Sequence, residues 1–452
     1  MSLLNIKSKF ILYDIFFQIP IKKRLSIING SKKYYEKLDY FPITKELYDK
    51  LFNYIDDKID SYCRQNYPIK SIFYYKLNDL ANDIQKKFPK KSKEFFELIQ
   101  EIIIEYIKSK NIYLLNDDFT SKYEELFKFD YHKYIIKFDI DFCEMLRNKS
   151  KIFKYNINKI FGIDIKINDL KNEIEEKLSE EIFEKNENKI FDYNEDEDDD
   201  NDLEPKQEKV YDLILEYLDL LNKDFTCIHF LKLNFSDFFN NFDLNDENEI
   251  KKIFYCIAEF SKKNSIEILF FKDNTVRTLS FIDNYKTFVK NFNNLNEFYF
   301  LKNFHNGNTN DILYEAFQNG EEIINSIEDP NYILKNYLTD INKNIKILDI
   351  EISNPCSING NPGNGSFYSL ATISEDFSLI SEFKNLEQFT LEYDWLADYY
   401  FEFDYDGTLS KALNSIKNLK KVIFKYDEYL LKIIPLLNIK DVKFIERREN
   451  QI

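Results

Sequence analysis

Asn344-Ile-Lys-Ile-Leu-Asp-Ile350 and, further along the chain, Asn385-Leu-Glu-Gln-Phe-Thr-Leu391 share one pattern: an asparagine followed by apolar residues at the first, fourth and sixth places. The same apolar spacing occurs at Ile228/Leu231/Leu233, Ile266/Leu269/Phe271, Leu295/Phe298/Phe300, Leu419/Val422/Phe424 and Ile439/Val442/Phe444, at intervals of 20 to 50 residues. Five of these seven copies carry the asparagine, at Asn294, Asn344, Asn385, Asn418 and Asn438. The two-residue step between the last two apolar places reads as a short strand. Asparagine tolerates the left-handed backbone that ends a helix, and amphipathic stretches at 249–260, 282–292, 377–383 and 409–416 supply the helices.

Each unit is therefore predicted to be a helix, an asparagine stop and a strand. Such a unit cannot bury its apolar face alone but does so when copies stack. A compact α/β domain with a mixed sheet would satisfy the same segments. In the stacked geometry the residue between the last two apolar positions points away from the helices. Those residues are Lys232, Phe270, Tyr299, Asp349, Thr390, Ile423 and Lys443, the candidate partner-binding set, in which Phe270 and Tyr299 form an aromatic patch on adjacent units. Aromatic side chains of this kind anchor protein interfaces. The single tryptophan, in Asp394-Trp395, lies just past a strand and reads equally as a partner anchor or as core.

Working outward, residues 43–192 read as a helical domain, with clear amphipathic segments at 45–60, 93–108 and 168–184. Ile167, Leu170, Ile174, Leu178 and Ile182 follow a heptad spacing too short for a coiled coil and are assigned to an ordinary helix. Residues 193–206 include the acidic run 195–200, which repels itself and reads as a linker. Residues 207–452 hold the repeats.

Composition sets the limits. The 452 residues include 43 Phe and 32 Tyr with only 8 Gly and 9 Pro, so apolar core is plentiful and tight-turned β architectures are disfavoured. A net charge of −17 with no domain-scale basic patch disfavours nucleic acid. No apolar run reaches the ~18 residues of a membrane span, and no leader sequence is evident at the start, which points to the cytosol or nucleus. Cys63, Cys143, Cys227, Cys256 and Cys356 lack metal or redox spacing. His132, His229 and His305 have no partner at ligand spacing, Cys227 beside His229 reads as a core neighbourhood, and the glycine-rich stretch 359–366 lacks the lysine of a phosphate loop. No catalytic residue, metal or cofactor is expected.

Over about 228–445 the repeated pattern resembles the leucine-rich-repeat family in its longer strand-plus-helix form. That resemblance implies an α/β solenoid of parallel strands backed by helices, with a protein partner on the strand face. At the other end, Phe10-Ile-Leu-Tyr-Asp-Ile-Phe16, Ile19-Pro20, Leu25-Ser-Ile27 and Ser31-Lys-Lys-Tyr-Tyr35 resemble an F-box, with Ser8-Lys9 in place of the usual leading Leu-Pro and Tyr35 near the usual tryptophan. The resemblance implies that residues 1–42 dock the adaptor of a cullin-type ubiquitin ligase through Leu12, Ile15, Phe16, Ile19, Pro20 and Leu25. The function expected is thus a non-catalytic interaction protein, either a substrate-recruiting adaptor or a plain scaffold.

Overall fold

The computed structural model describes residues 19, 23, 45–63, 71–87, 99, 102–107, 109–110, 112–116, 134–147, 160–187, 207–235, 244–263, 265–273, 277, 279–303, 333–353, 377–394, 407–425 and 428–445. Of the six predicted docking residues only Ile19 is among them, half-buried in a bend; Leu12, Ile15, Phe16, Pro20 and Leu25 lie outside the described residues. The acidic run, the glycine-rich stretch, His132, His305 and Trp395 lie outside them too.

The chain forms two compact units, Met1–Ile136 and Lys137–Ile452. The first contains α1 (Lys45–Cys63), β1 (Ser71–Phe73), α2 (Tyr74–Lys87) and β2 (Tyr113–Asn116), together with most of β3 (Tyr134–Phe138). The three strands pair in parallel, Ile72 opposite Leu114 and Leu115 opposite Ile135. The predicted helix at 45–60 forms, burying Tyr48, Leu51, Ile55 and Ile59 on one stripe. Reading 43–192 as helical throughout was incorrect, because strands interrupt it. These strands are only three to seven residues long, and so brief an apolar run has no period of its own to set against the helices around it.

The second unit runs α3 (Ile140–Arg147), β4 (Ile160–Lys166), α4 (Ile167–Glu187), α5 (Gln207–Asp224), β5 (Phe230–Asn234), α6 (Leu244–Lys263), β6 (Ile268–Asp273), α7 (Leu279–Val289), β7 (Glu297–Asn303), α8 (Ile333–Leu338), β8 (Ile347–Ser353), β9 (Gln388–Asp394), α9 (Thr408–Ser415), β10 (Lys421–Lys425) and β11 (Asp441–Ile445). A 3-10 turn, Phe377–Glu382, takes the place of a helix before β9. Strands β4 to β11 pair in parallel, each beside its neighbour in sequence. The result is a mixed α/β fold with a parallel sheet. β4 and β5, on either side of the acidic run, pair directly, and the boundary between compact units falls at Ile136/Lys137 instead.

Register explains the repeated spacing. Leu231, Leu269, Phe298, Leu348, Phe389, Val422 and Val442 stand side by side, as do Leu233, Phe271, Phe300, Ile350, Leu391, Phe424 and Phe444. Both rows face the helices, and from β5 to β10 both are buried. β4 supplies an eighth copy, Ile160/Ile163/Ile165, with Ile163 opposite Leu231. Between sheet and helices the space is filled by rings: Phe271 and Tyr285 at 4.7 Å, Phe300 and Tyr337 at 4.7 Å, Tyr285 and Tyr337 at 4.9 Å between centroids. Packing at these distances adds to the area each ring buries.

The asparagines sit exposed in the turns that enter the strands, where they tie neighbouring units together. Asn385 Nδ2 donates to Asn344 Oδ1 at 3.1 Å, and Asn418 Nδ2 donates to the Lys384 carbonyl at 3.1 Å.

Charge also enters the core. Asp273 at the end of β6 and Lys302 on β7 are cross-strand partners with no exposure, 2.8 Å apart. Arg277 pairs with Asp273 at 2.6 Å and donates to the Phe235 carbonyl, while the Tyr337 hydroxyl on α8 donates to Asp273 at 2.8 Å. Burial alone would raise the Asp273 carboxyl, but Arg277 and Lys302 hold it below its usual range.

Two stability predictions follow from these contacts. A Cβ at Gly162 would come within 2.5 Å of the Phe230 ring and 2.9 Å of its backbone oxygen. Gly162→Val is expected to cost about 1–3 kcal/mol in urea unfolding, and an unchanged midpoint would contradict the close approach of β4 to β5. Asp273→Asn strands two buried cations and is expected to cost about 3–5 kcal/mol. Lys302→Met leaves a neutral pair and should cost clearly less; equal losses would show that charge balance is not what the network supplies.

Candidate interaction face

Opposite the helices, β4 to β11 present three rows of side chains, because residues two apart on a strand share a face and the register carries each position across the sheet. The first row is Gly162, Phe230, Ile268, Glu297, Ile347, Gln388, Lys421 and Asp441. The second is Asp164, Lys232, Phe270, Tyr299, Asp349, Thr390, Ile423 and Lys443. Lys166, Asn234, Lys272, Leu301, Glu351, Glu392, Lys425 and Ile445 make the third.

The second row thus contains all seven residues predicted to face a partner, in one line. Their exposure differs. Phe270, Asp349 and Ile423 are half-buried and Lys443 is exposed, whereas Lys232, Tyr299 and Thr390 are buried. Lys232 folds onto Asp164 at 2.8 Å with its ammonium 5.6 Å from the Phe270 ring centre, and the Tyr299 hydroxyl donates to Glu297 at 2.8 Å. Phe270 and Tyr299 are cross-strand neighbours, as the aromatic-patch reading requires.

At the N-terminal ends of β6 to β11 the backbone shapes a groove. The N–H groups of Asn296 and Glu297 both donate to the Glu267 carbonyl, those of Lys346 and Ile347 to Asn296, those of Glu387 and Gln388 to Lys346, and those of Lys420 and Lys421 to Glu387. This repeated step leaves a groove of about 660 Å³ lined by Glu267, Ile268, Glu297, Lys346, Ile347, Glu387 and Lys421, among others. Glu387 and Lys420 pair across it at 2.6 Å.

Charge is not spread evenly over the face. The middle strands β7 to β9 carry Glu297, Asp349, Glu351 and Glu392, while Lys272 stands on β6 and Lys421 and Lys425 stand on β10. Lys425 reaches Glu392 at 3.2 Å. Burial, then the charge of Glu392 opposite it, pushes Glu351 up to about 7. Burial also raises Asp349, against the opposing charge of Lys425. The sequence reading missed Asp164, Glu351, Glu392 and Lys425, although two-residue alternation from the seven named positions leads straight to the last three.

His229 is held against the Phe161 ring, centroids 5.8 Å apart, with Nδ1 3.2 Å from Glu267; Cys227 is exposed, and both precede β5. Among the described residues no group of three or more His, Cys, Asp or Glu side chains is arranged to hold a metal ion. None of the described helices is long and apolar enough to cross a membrane.

Glu351 gives this face a pH signature. Unfolded, its carboxyl loses a proton near 4.5; folded, near 7. Between those values the folded chain binds the extra proton, so stability falls as pH rises through this window and stays lower above it. Glu351→Gln is therefore expected to exceed the parent in stability at pH 8 by on the order of 1 kcal/mol, allowing for its partial exposure. At pH 4 and below the difference should vanish. Urea midpoints at the two pH values measure this; a pH-independent difference would show that Glu351 ionises normally.

No protein-family model matches this chain, and neither the curated proteins nor the solved structures contain a match to it.

Proposed function

We propose that the chain is a non-catalytic interaction protein, an irregular strand-and-helix solenoid of the leucine-rich-repeat kind that holds a protein partner on the sheet face opposite its helices. The observation that supports this most directly is the in-register second row. Catalysis needs polar groups converging on one reacting atom, whereas these rows spread aromatic, aliphatic and charged side chains along successive strands. Such an arrangement suits an extended contact in which a few central residues supply most of the affinity.

A more specific form of the reading makes the chain a substrate-recruiting adaptor of a cullin-type ubiquitin ligase, with residues 1–42 docking the ligase and the repeats choosing the target. It draws on the F-box resemblance of residues 10–35, and the sheet face serves it equally well.

Both are tested by affinity capture from lysate with the full chain. Phe270→Ala, at a half-buried member of the row, is expected to reduce the captured partner about tenfold or more while the unfolding temperature stays within a few degrees. Ile15→Ala/Phe16→Ala is expected to remove a cullin adaptor alone. Undiminished capture by the first variant would refute the face as the interface, and absence of a cullin adaptor from the parent's capture would refute the ligase role.

A further inference from the structure

We propose that β11, the last strand of the sheet among the described residues, pairs antiparallel with β11 of a second copy of this chain. The inference is separate from the reading of the face above and does not depend on what that face holds.

β11 lies at the edge of the sheet, and among the described residues its one strand neighbour is β10. Half of its backbone N–H and C=O groups therefore point away from β10, an open template for another strand. The side chains around it are also short of cover. Val422 and Phe424 of β10 are buried, but Val442 and Phe444, their neighbours in register, are half-exposed. Of the five large apolar side chains exposed among the described residues, three, Leu431, Leu436 and Ile445, belong to this last unit. A stacked array stays soluble when its terminal unit is polar outside. Here that unit is apolar, the mark of a surface that meets another molecule.

Charge selects the occupant. Asp441 and Lys443 are exposed, share one face of the strand, and form no ion pair among the described residues. A two-fold axis perpendicular to the sheet keeps every residue on its own face, so two β11 strands can meet only in registers centred on a residue. Centred on Val442, the pairing sets Asp441 opposite Lys443 of the second copy and Lys443 opposite its Asp441, with Val442 meeting Val442 between them. Centred on Lys443 it would oppose two lysines, and centred on Phe444 it would leave Asp441 past the end of the second strand. Opposite charges across a strand pair stabilise it, and like charges destabilise it. The strand is thus complementary to itself, whereas a lysine alone on an edge strand guards against pairing. The same axis puts the helices of both copies on one side of the joined sheet and the two interaction faces side by side on the other.

Sedimentation velocity on the full chain over a range of concentrations measures the association. A pair of five-residue strands is a small interface, so the dimer is expected to form reversibly and to grow with concentration. Lys443→Asp sets acid against acid, and Asp441→Lys sets lysine against lysine. Either change alone is expected to raise the dissociation constant about tenfold or more, while the unfolding temperature stays within a few degrees because both residues are exposed. Mixed in equal amounts, the two variants are complementary again and should associate about as well as the parent. A monomeric parent, a dimer indifferent to either substitution, or failure of the mixture to associate overturns the proposal.

Discussion

In-register parallel pairing is the constraint on which everything else in the second unit depends. Each strand from β5 to β11 meets its neighbour with equivalent residues side by side. A slip of one residue would turn Leu231 or Phe271 toward the solvent face and Lys232 or Phe270 toward the helices. The apolar cost of that exchange fixes the register at every step. Since the register is fixed, a residue's place in the repeat determines both its face and its neighbours, and the make-up of each face can be read from a periodic sequence.

The same constraint accounts for the buried charges. Asp273 and Lys302 lie at the C-terminal ends of their strands on the helix-facing side, where the two-residue period continues past the last apolar positions. Having been placed there, they must be neutralised. Arg277 and the Tyr337 hydroxyl complete the arrangement, drawing the segment after β6 and the helix α8 onto one carboxylate. A pair of this kind is weak evidence for added stability compared with apolar residues of the same size. Its contribution is better understood as specificity: few other packings of α8 on the sheet would leave the three charges satisfied.

Much of this was legible in the sequence, and what was missed has definite causes. Seven strands were legible because Leu, Ile, Val and Phe recur at fixed spacing, in five copies behind an asparagine, a signal that chance composition does not align seven times. β4 carries the same spacing at Ile160/Ile163/Ile165 but lacks the asparagine and stands among helices, so local periodicity masked it. β1 to β3 are shorter still. The asparagines were recognised as boundary residues, whereas their tie from unit to unit, Asn385 to Asn344, depends on the stacking of segments far apart in sequence. Exposure was the least legible property. Lys232 is buried because Asp164 waits for it on a strand the pattern did not reveal, and Thr390 is buried because a short side chain sinks among longer neighbours in its row. Of the candidate site, the second row was read directly and the positions of the third follow from it by two-residue alternation, but that Glu351 stands opposite Glu392 depends on the register.

That juxtaposition carries a cost within the sheet. Two carboxylates in direct cross-strand opposition repel, and like charges so placed destabilise a sheet. Glutamine at either position would fill the same space without repulsion. The fold offsets part of that repulsion with Lys425, which reaches Glu392 at 3.2 Å and whose charge also bears on Asp349 and Glu351. Local strain or unfavourable polarity held in place by an otherwise consistent architecture is a recurrent mark of functional sites. Here the rest of the sheet is consistent at every level, from strand period to ring packing. Among the described residues, Glu351 and Glu392 are like charges held side by side across two strands, with Lys425 as their counterion.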